Sequence, residues 1–263
     1  MQDPARVRHA IKALLSFWGD KPLASVDDES CDKYAVFRGV SSSTIRKELP
    51  TLTEAQNYSR RKGVLERTVD VPLPPKAAPC DRFLTENEAA RLLLETRNSG
   101  RKARTYLPLF THIALYTGAR TEAILSLTWD RVDLNMHRIN FAVPGRAQTA
   151  KRRPVVPIPR KLLTFLRYAY ERRVADDAHV LSEGGKPLKR VIRGFKSAAT
   201  RAGLSDVTPH TSRHTCGTWM AQRSVPLHEI SGYLGQEPDT TQRNYIHHHA
   251  DFMQRAKKAA DRD

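Results

Sequence analysis

The sequence predicts a mainly α fold with a small antiparallel β-sheet, an α+β chain in two helical parts. Three observations predict it. Apolar residues recur at helical spacing through most of the 263 residues. The period changes to strict alternation only between residues 138 and 159. A proline-rich stretch, VDVPLPPKAAPC over residues 69–80, breaks the composition in two.

Before that stretch, RVRHAIKALLSFWG (6–19) places Val7, Ile11, Leu14, Leu15 and Trp18 on one helical face, and Gly19 stops it. SSSTIRKELPTLTEAQNYSRRKG (41–63) opens on serine caps and carries a stripe of Ile45, Leu49, Leu52, Ala55 and Tyr58. Pro50 lies inside the stripe and predicts a kink or break. Arg46 and Lys47 make the polar side positive. Such charges read equally as a solvated face or as DNA contacts.

After it, FLTENEAARLLLE (83–95) begins with a Thr85/Glu88 capping box. YLPLFTHIALYTGAR (106–120) is an apolar helix closed by Gly118. Ile139, Phe141 and Val143, then Val155, Val156 and Ile158, predict a hairpin whose tip carries Lys151, Arg152 and Arg153. RKLLTFLRYAYERRV (160–174) is helical, and HVL (179–181) is a candidate third strand. KPLKRVIRGFKSAATRAG (186–203) predicts an acid-free amphipathic helix with Lys189, Arg193 and Lys196 on one face. TPHTSRHTCGTWMAQR (208–223) has Thr208 as cap and Pro209 at the first helical position.

Composition narrows the partners. Lys+Arg total 44 against 28 Asp+Glu, a formal net charge of +16. That field attracts polyanions: DNA, RNA or an anionic membrane surface. No apolar run is long enough to span a bilayer, and the N-terminus lacks a signal-peptide core. Cys31, Cys80 and Cys216 form no CxxC pair, so the default setting is the reducing cytoplasm. Nucleic acid is the leading partner.

His210 and His214 are one turn apart, but Arg213 between them opposes a cation, and no glutamate completes a metal motif. A histidine and an arginine at a helix N-terminus suit an anion better. Arg120 at the end of an apolar helix is a potential phosphate clamp. Three consecutive histidines, His247 to His249, point different ways and do not make one metal site. Tyr245 before them is a phenol that needs nearby cations to act as a nucleophile.

TGAR, a hairpin lysine, HTSRH, LGQ and TTQRNYIH, in this order, resemble the tyrosine recombinase or phage integrase family over residues 83–250. VSSSTIRKELPTLTEAQNY is similar to that family's helical core-binding domain. The resemblance implies three segments: a core-binding domain over residues 1–68, a linker over 69–81 and a catalytic domain over 82–263, closing on DNA as a C-shaped clamp. It implies Tyr245 as nucleophile, with Arg120, Arg213, His210, Lys151 and Gln236 around the phosphate and His247 at a family position. Arg152 competes with Lys151, and Thr149 and Ala150 occupy the alternative registers. Gln236 stands where the family usually has histidine, and Ala123 where it often has an acid. Arg46, Lys47, Arg152, Arg153, Lys189, Arg193 and Lys196 are the candidate DNA contacts.

The resemblance further implies a site-specific recombinase that cuts and rejoins double-stranded DNA with no cofactor, metal or ATP. It would act as a homotetramer in the nucleoid, with an accessory DNA-bending protein as a further partner. The terminal MQRAKKAADR is expected as a short helix docking on a neighbouring subunit, and an N-terminal arm-binding domain is expected to be missing. A type IB topoisomerase-like relaxing enzyme and a degenerate DNA-binding protein are the alternatives.

Overall fold

The computed structural model describes residues 4–76, 81–145, 152–173 and 178–261. The chain divides into two compact units, Met1–Cys80 and Asp81–Asp263.

The first unit holds α1 (Pro4–Trp18), α2 (Asp28–Arg38) and α3 (Ser42–Arg61). Apolar periodicity does not anticipate α2. Its signals are local: Asp27 accepts from the Ser30 amide, Ser30 caps in return, and Gly39 ends the helix at φ +57°. α1 buries Ala10, Leu14 and Trp18, while Ile11 and Leu15 are exposed, so its inner face is turned from the expected stripe.

Pro50 does not break α3, which runs unbroken from Ser42 to Arg61. Proline forfeits one ladder bond, but Ile45 and Leu49 are almost wholly buried beside that turn and hold the helix together. The inner stripe continues through Leu52 to Gln56, whereas Ala55 and Tyr58 are exposed. The reason is a polar network. Glu48 is buried, accepts from Tyr34 Oη at 2.7 Å, and receives both Nε and Nη2 of Arg38. The Gln56 side-chain oxygen accepts from the Val69 amide at 2.8 Å, and Val71 is buried in the same core. The start of the proline-rich stretch is thereby fastened to this unit; residues 77–80 lie outside the described residues.

The second unit holds α4 (Glu86–Arg97), α5 (Ala103–Thr117), α6 (Thr121–Leu125), β1 (Val132–Asp133), β2 (Arg138–Asn140), β3 (Val155–Pro157), α7 (Arg160–Glu171), β4 (Ser182–Glu183), β5 (Lys186–Pro187), α8 (Ile192–Arg201), α9 (Pro209–Gln222), α10 (Leu227–Leu234), α11 (Pro238–Tyr245) and α12 (Gln254–Ala260). The Thr85/Glu88 capping box forms as the sequence predicts. α5 is the central helix. Phe110 and Ile113 are fully buried, and it packs against α4, α7 and α9.

The antiparallel sheet has the order β1-β2-β3, with Ile139 opposite Val156 and both facing the core. Its third strand is therefore β1, before the hairpin, and not residues 179–181. There the backbone forms an isolated bridge between His179 and Thr128. The hairpin tip over residues 146–151 lies outside the described residues. Lys189 is not on the predicted amphipathic helix: β5 and a connector occupy residues 186–191, and α8 starts at Ile192. The two glycines at 184 and 185, both at positive φ, turn a small second hairpin there.

Candidate functional site

The site lies where the ends of α5, α9, α10 and α11 converge. Glycine makes the convergence possible. Gly118 ends α5 at φ +58°, and a β-carbon there would lie 2.3 Å from Leu234 Cδ2 of α10. Gly235 ends α10 at φ +60°, and a β-carbon there would lie 2.6 Å from Pro154 Cδ at the root of the hairpin. Both positions need left-handed backbone and close approach, which only glycine supplies without strain.

These crossings bring two arginines together. Arg213, on the first turns of α9, is buried. Its Nη1 donates to the Gly118 carbonyl at 2.8 Å and the Leu234 carbonyl at 2.7 Å, and its Nη2 donates to Gln236 Oε1 at 2.9 Å. Arg120, just past α5, donates from Nη1 to the carbonyls of Arg152 and Gly235 at 2.8 and 3.0 Å. A guanidinium has five N–H donors. Both groups are thus fixed in orientation and keep donors in reserve. All the acceptors just named are carbonyl or amide oxygens, none a carboxylate. Burial and the nearby Arg120 charge bring Arg213 down to about 10, which leaves it charged at neutral pH. Two fixed cations with no ion-pair partner among the described residues form a receptor for an oxyanion.

Gln236 links this pair to the tyrosine. Its Oε1 must face Arg213, which can only donate, so its Nε2 faces Thr241 Oγ1 at 2.9 Å. Tyr245, at the end of α11, is almost completely buried. Burial pushes its phenol up to about 12, while the Arg213 charge and a hydrogen bond with Gln236 pull the other way. The ring lies over the backbone of α9 at Gly217.

His210 stands at the solvent edge of the same helix face, one turn before Arg213. Its ring meets His214 edge to face at 4.7 Å, and His214 lies 6.1 Å from Tyr245, centroid to centroid. Desolvation, then His214 and the two guanidiniums, hold His210 at about 4, so it is neutral at physiological pH. Among the described residues no cluster of three or more His, Cys, Asp or Glu is arranged to hold a metal.

The structure thus brings together Arg120, His210, Arg213, Gln236 and Tyr245. Lys151, and Thr149 and Ala150 beside it, lie outside the described residues. The His247 ring lies 4.1 Å from that of His248, whose ring in turn meets Phe83. The basic residues divide. Lys47, Lys189, Arg193 and Lys196 are exposed. Arg152 is exposed but pairs with Glu237 at 3.6 Å. Arg46 donates to the Pro74 carbonyl, and Arg153 donates to Ser126 Oγ at 3.1 Å. Sequence reasoning misses Gly217 and Thr241. The signal for Gly217 is a glycine inside an uninterrupted helix, a costly choice on propensity alone.

Residues 82–251 match the model of the phage integrase family. The chain belongs to that family. Among curated phage integrase relatives, the tyrosine recombinase XerC of Herpetosiphon aurantiacus is 34% identical over 56% of this chain and 49% of its own length. The chain therefore spans about half the length of that relative. XerA of Pyrococcus furiosus is 28% identical over 78% of this chain and 70% of its own. The solved Tn1549 transposon integrase in complex with a circular intermediate DNA shares the phage integrase fold, with a TM-score of 0.77 at 17% identity, over 98% of this chain and 94% of that one.

Proposed function

We propose that this chain is a site-specific DNA recombinase that cuts and rejoins double-stranded DNA through a 3′-phosphotyrosine on Tyr245. One observation carries this reading. Among the described residues, the phenol in the convergence of α9, α10 and α11 that reaches the Arg213–Gln236 pair is Tyr245, within the segment that defines the family.

In this mechanism a DNA phosphodiester occupies the receptor formed by Arg120 and Arg213. The unused N–H donors take the non-bridging oxygens as charge builds in the transition state. The Tyr245 oxygen forms a bond to phosphorus, the bond from phosphorus to the 5′-oxygen breaks, and the phenolic proton leaves as the 5′-oxygen gains one. Lys151 is assigned the proton for the leaving oxygen, as the family resemblance implies. Neutral His210 can accept a proton near the phosphate. Gln236 holds Arg213 in place through its side-chain oxygen, and its amide nitrogen faces Thr241 and the phenol. The phosphotyrosine conserves the bond energy, so the reverse attack by a 5′-hydroxyl needs neither ATP nor metal.

Lys47, Lys189, Arg193 and Lys196 supply exposed charge for the DNA backbone. Arg46, Arg152 and Arg153, each also in contact with the chain itself, are the further candidates for DNA contact. In this reading residues 1–68 are the core-binding domain, residues 82–263 the catalytic domain, and four copies exchange strands on the cell's DNA.

The test is a nicked suicide duplex carrying the protein's own recombination site. Wild-type protein should give a denaturant-resistant protein–DNA adduct without added metal or ATP, and Tyr245→Phe should give none. An adduct with Tyr245→Phe would sink the mechanism. An adduct that leads only to relaxation of supercoils, with no joint molecules, would replace recombinase by a relaxing enzyme.

A further inference from the structure

A second cleft has a composition that strand exchange does not explain. It lies between the N-terminal half of α5, α7 and the segment around β4, with a volume of about 1050 Å³. Arg104 at the cleft rim and Gly118 at the site are fourteen positions apart on α5 and its cap, roughly 20 Å along a helix. The volume is at the upper end of small-ligand cavities, which run to about 1,000 Å³.

The floor is apolar and aromatic. Phe165, Tyr106 and Leu109 are half-buried there, and His112 is buried with its ring 3.7 Å from that of Phe165. His112 Nδ1 lies 2.7 Å from the Pro108 carbonyl, which can only accept. The ring is therefore protonated on Nδ1 and keeps Nε2 as an acceptor.

The rim carries Arg97, Arg104, Arg172 and Arg173. Three of them lie over ring faces: Arg97 over Phe165 at 5.9 Å, Arg172 over Tyr168 at 3.8 Å and Arg173 over Tyr170 at 3.5 Å. Among the described residues none of the four has a carboxylate partner at ion-pair distance. The nearby acid Glu183 pairs with Lys102 instead, at 3.7 Å. A protein of net charge +16 has many unpaired cations. What distinguishes these is that planar guanidiniums, oriented by stacking, surround an aromatic floor. Planar rings favour a flat π system, and clustered guanidiniums favour phosphate.

We propose that this cleft binds a nucleoside phosphate, with the base against the Phe165 and Tyr106 wall and the phosphates on Arg97, Arg104, Arg172 and Arg173. The ligand is either a free nucleotide or an unpaired nucleotide of a DNA strand. The proposal does not depend on the recombinase reading.

Calorimetric titration of the full chain at fixed ionic strength tests it, with ATP, a single-stranded tetranucleotide, inorganic tripolyphosphate and an acidic peptide containing phenylalanine. The two variants are Tyr168→Ala and the double substitution Arg97→Glu with Arg104→Glu, all at exposed positions, with melting temperature and duplex binding as controls. Either nucleotide probe should bind saturably, at least tenfold tighter than tripolyphosphate, and weaken tenfold or more in both variants. The tighter of the two nucleotide probes identifies the source. Equal binding of tripolyphosphate, unchanged binding in Tyr168→Ala, or tighter binding of the peptide would each overturn the proposal.

Discussion

Gly217 and Tyr245 are in a contact that a single methyl group would forbid. A β-carbon on Gly217 would lie 2.4 Å from Tyr245 Cζ and 2.8 Å from its phenolic oxygen. The nucleophile candidate is seated on bare helix backbone. Overpacking of this kind costs about 1–3 kcal/mol, while alanine returns about 1 kcal/mol of helix propensity relative to glycine. Gly217→Ala should therefore destabilise the wild type in urea titration and lower adduct formation more than duplex binding. In a Tyr245→Ala background the same substitution should stabilise. The same sign in both backgrounds would dissolve the assigned contact.

Gln236 is the link from Arg213 to Thr241 and Tyr245. Gln236→Leu keeps the volume but removes the acceptor that holds a buried guanidinium. A hydrogen bond to a charged group contributes about 1.5–3 kcal/mol, so the rate of adduct formation should fall roughly tenfold to a hundredfold. Gln236→His, which restores an acceptor, should retain more activity than Gln236→Leu in single-turnover assays.

His210 is held at about 4, below its ordinary value of 6.5. The unfolded chain then binds this proton at higher pH than the folded one. Between pH 6.5 and 4, stability should fall as pH falls, and above 6.5 the residue should have no effect. His210→Gln should flatten that part of the curve measured by thermal unfolding. Nitrogen NMR of the free protein should show the ring neutral at pH 6.

Glu48 in the first unit is held below the usual carboxylate range, first by the Arg38 hydrogen bonds. Glu88 in the second unit is held at about 2, first by Arg82. For both, the folded value is depressed. Their contribution is fully present above about pH 4.5 and is lost as pH falls towards the folded values. Arg38→Ala leaves Glu48 buried without its cation and should cost about 2 kcal/mol in urea at neutral pH. That penalty should shrink on acidification below pH 4.

Much of this protein is legible locally. The Thr85/Glu88 box, the Gly118 stop and the Thr208-Pro209 start each close a hydrogen-bonding account within four residues, so the sequence alone places those helix ends. α2 escapes periodicity for the opposite reason. Its caps are present at Asp27 and Gly39, but its apolar face is short and mostly outward: Val36 and Phe37 are exposed. Pro50 misleads because its local cost is outweighed by the burial of Ile45 and Leu49, which no local pattern measures.

The sequence by itself determined most of the longer helices, the β2–β3 hairpin, the strong positive charge and the ordered set of Arg120, His210, Arg213 and Tyr245. These rest on short-range periodicity and on residue chemistry. Only the tertiary structure decided what those side chains do to each other. Gly118 and Gly235 let the ends of α5, α9, α10 and α11 meet; that meeting turns backbone carbonyls into clamps on two arginines, seats Tyr245 on Gly217, and gives Gln236 a partner on each side. The two arginine clamps join residues 95 and 115 positions apart, and no local pattern encodes how closely two helices can approach.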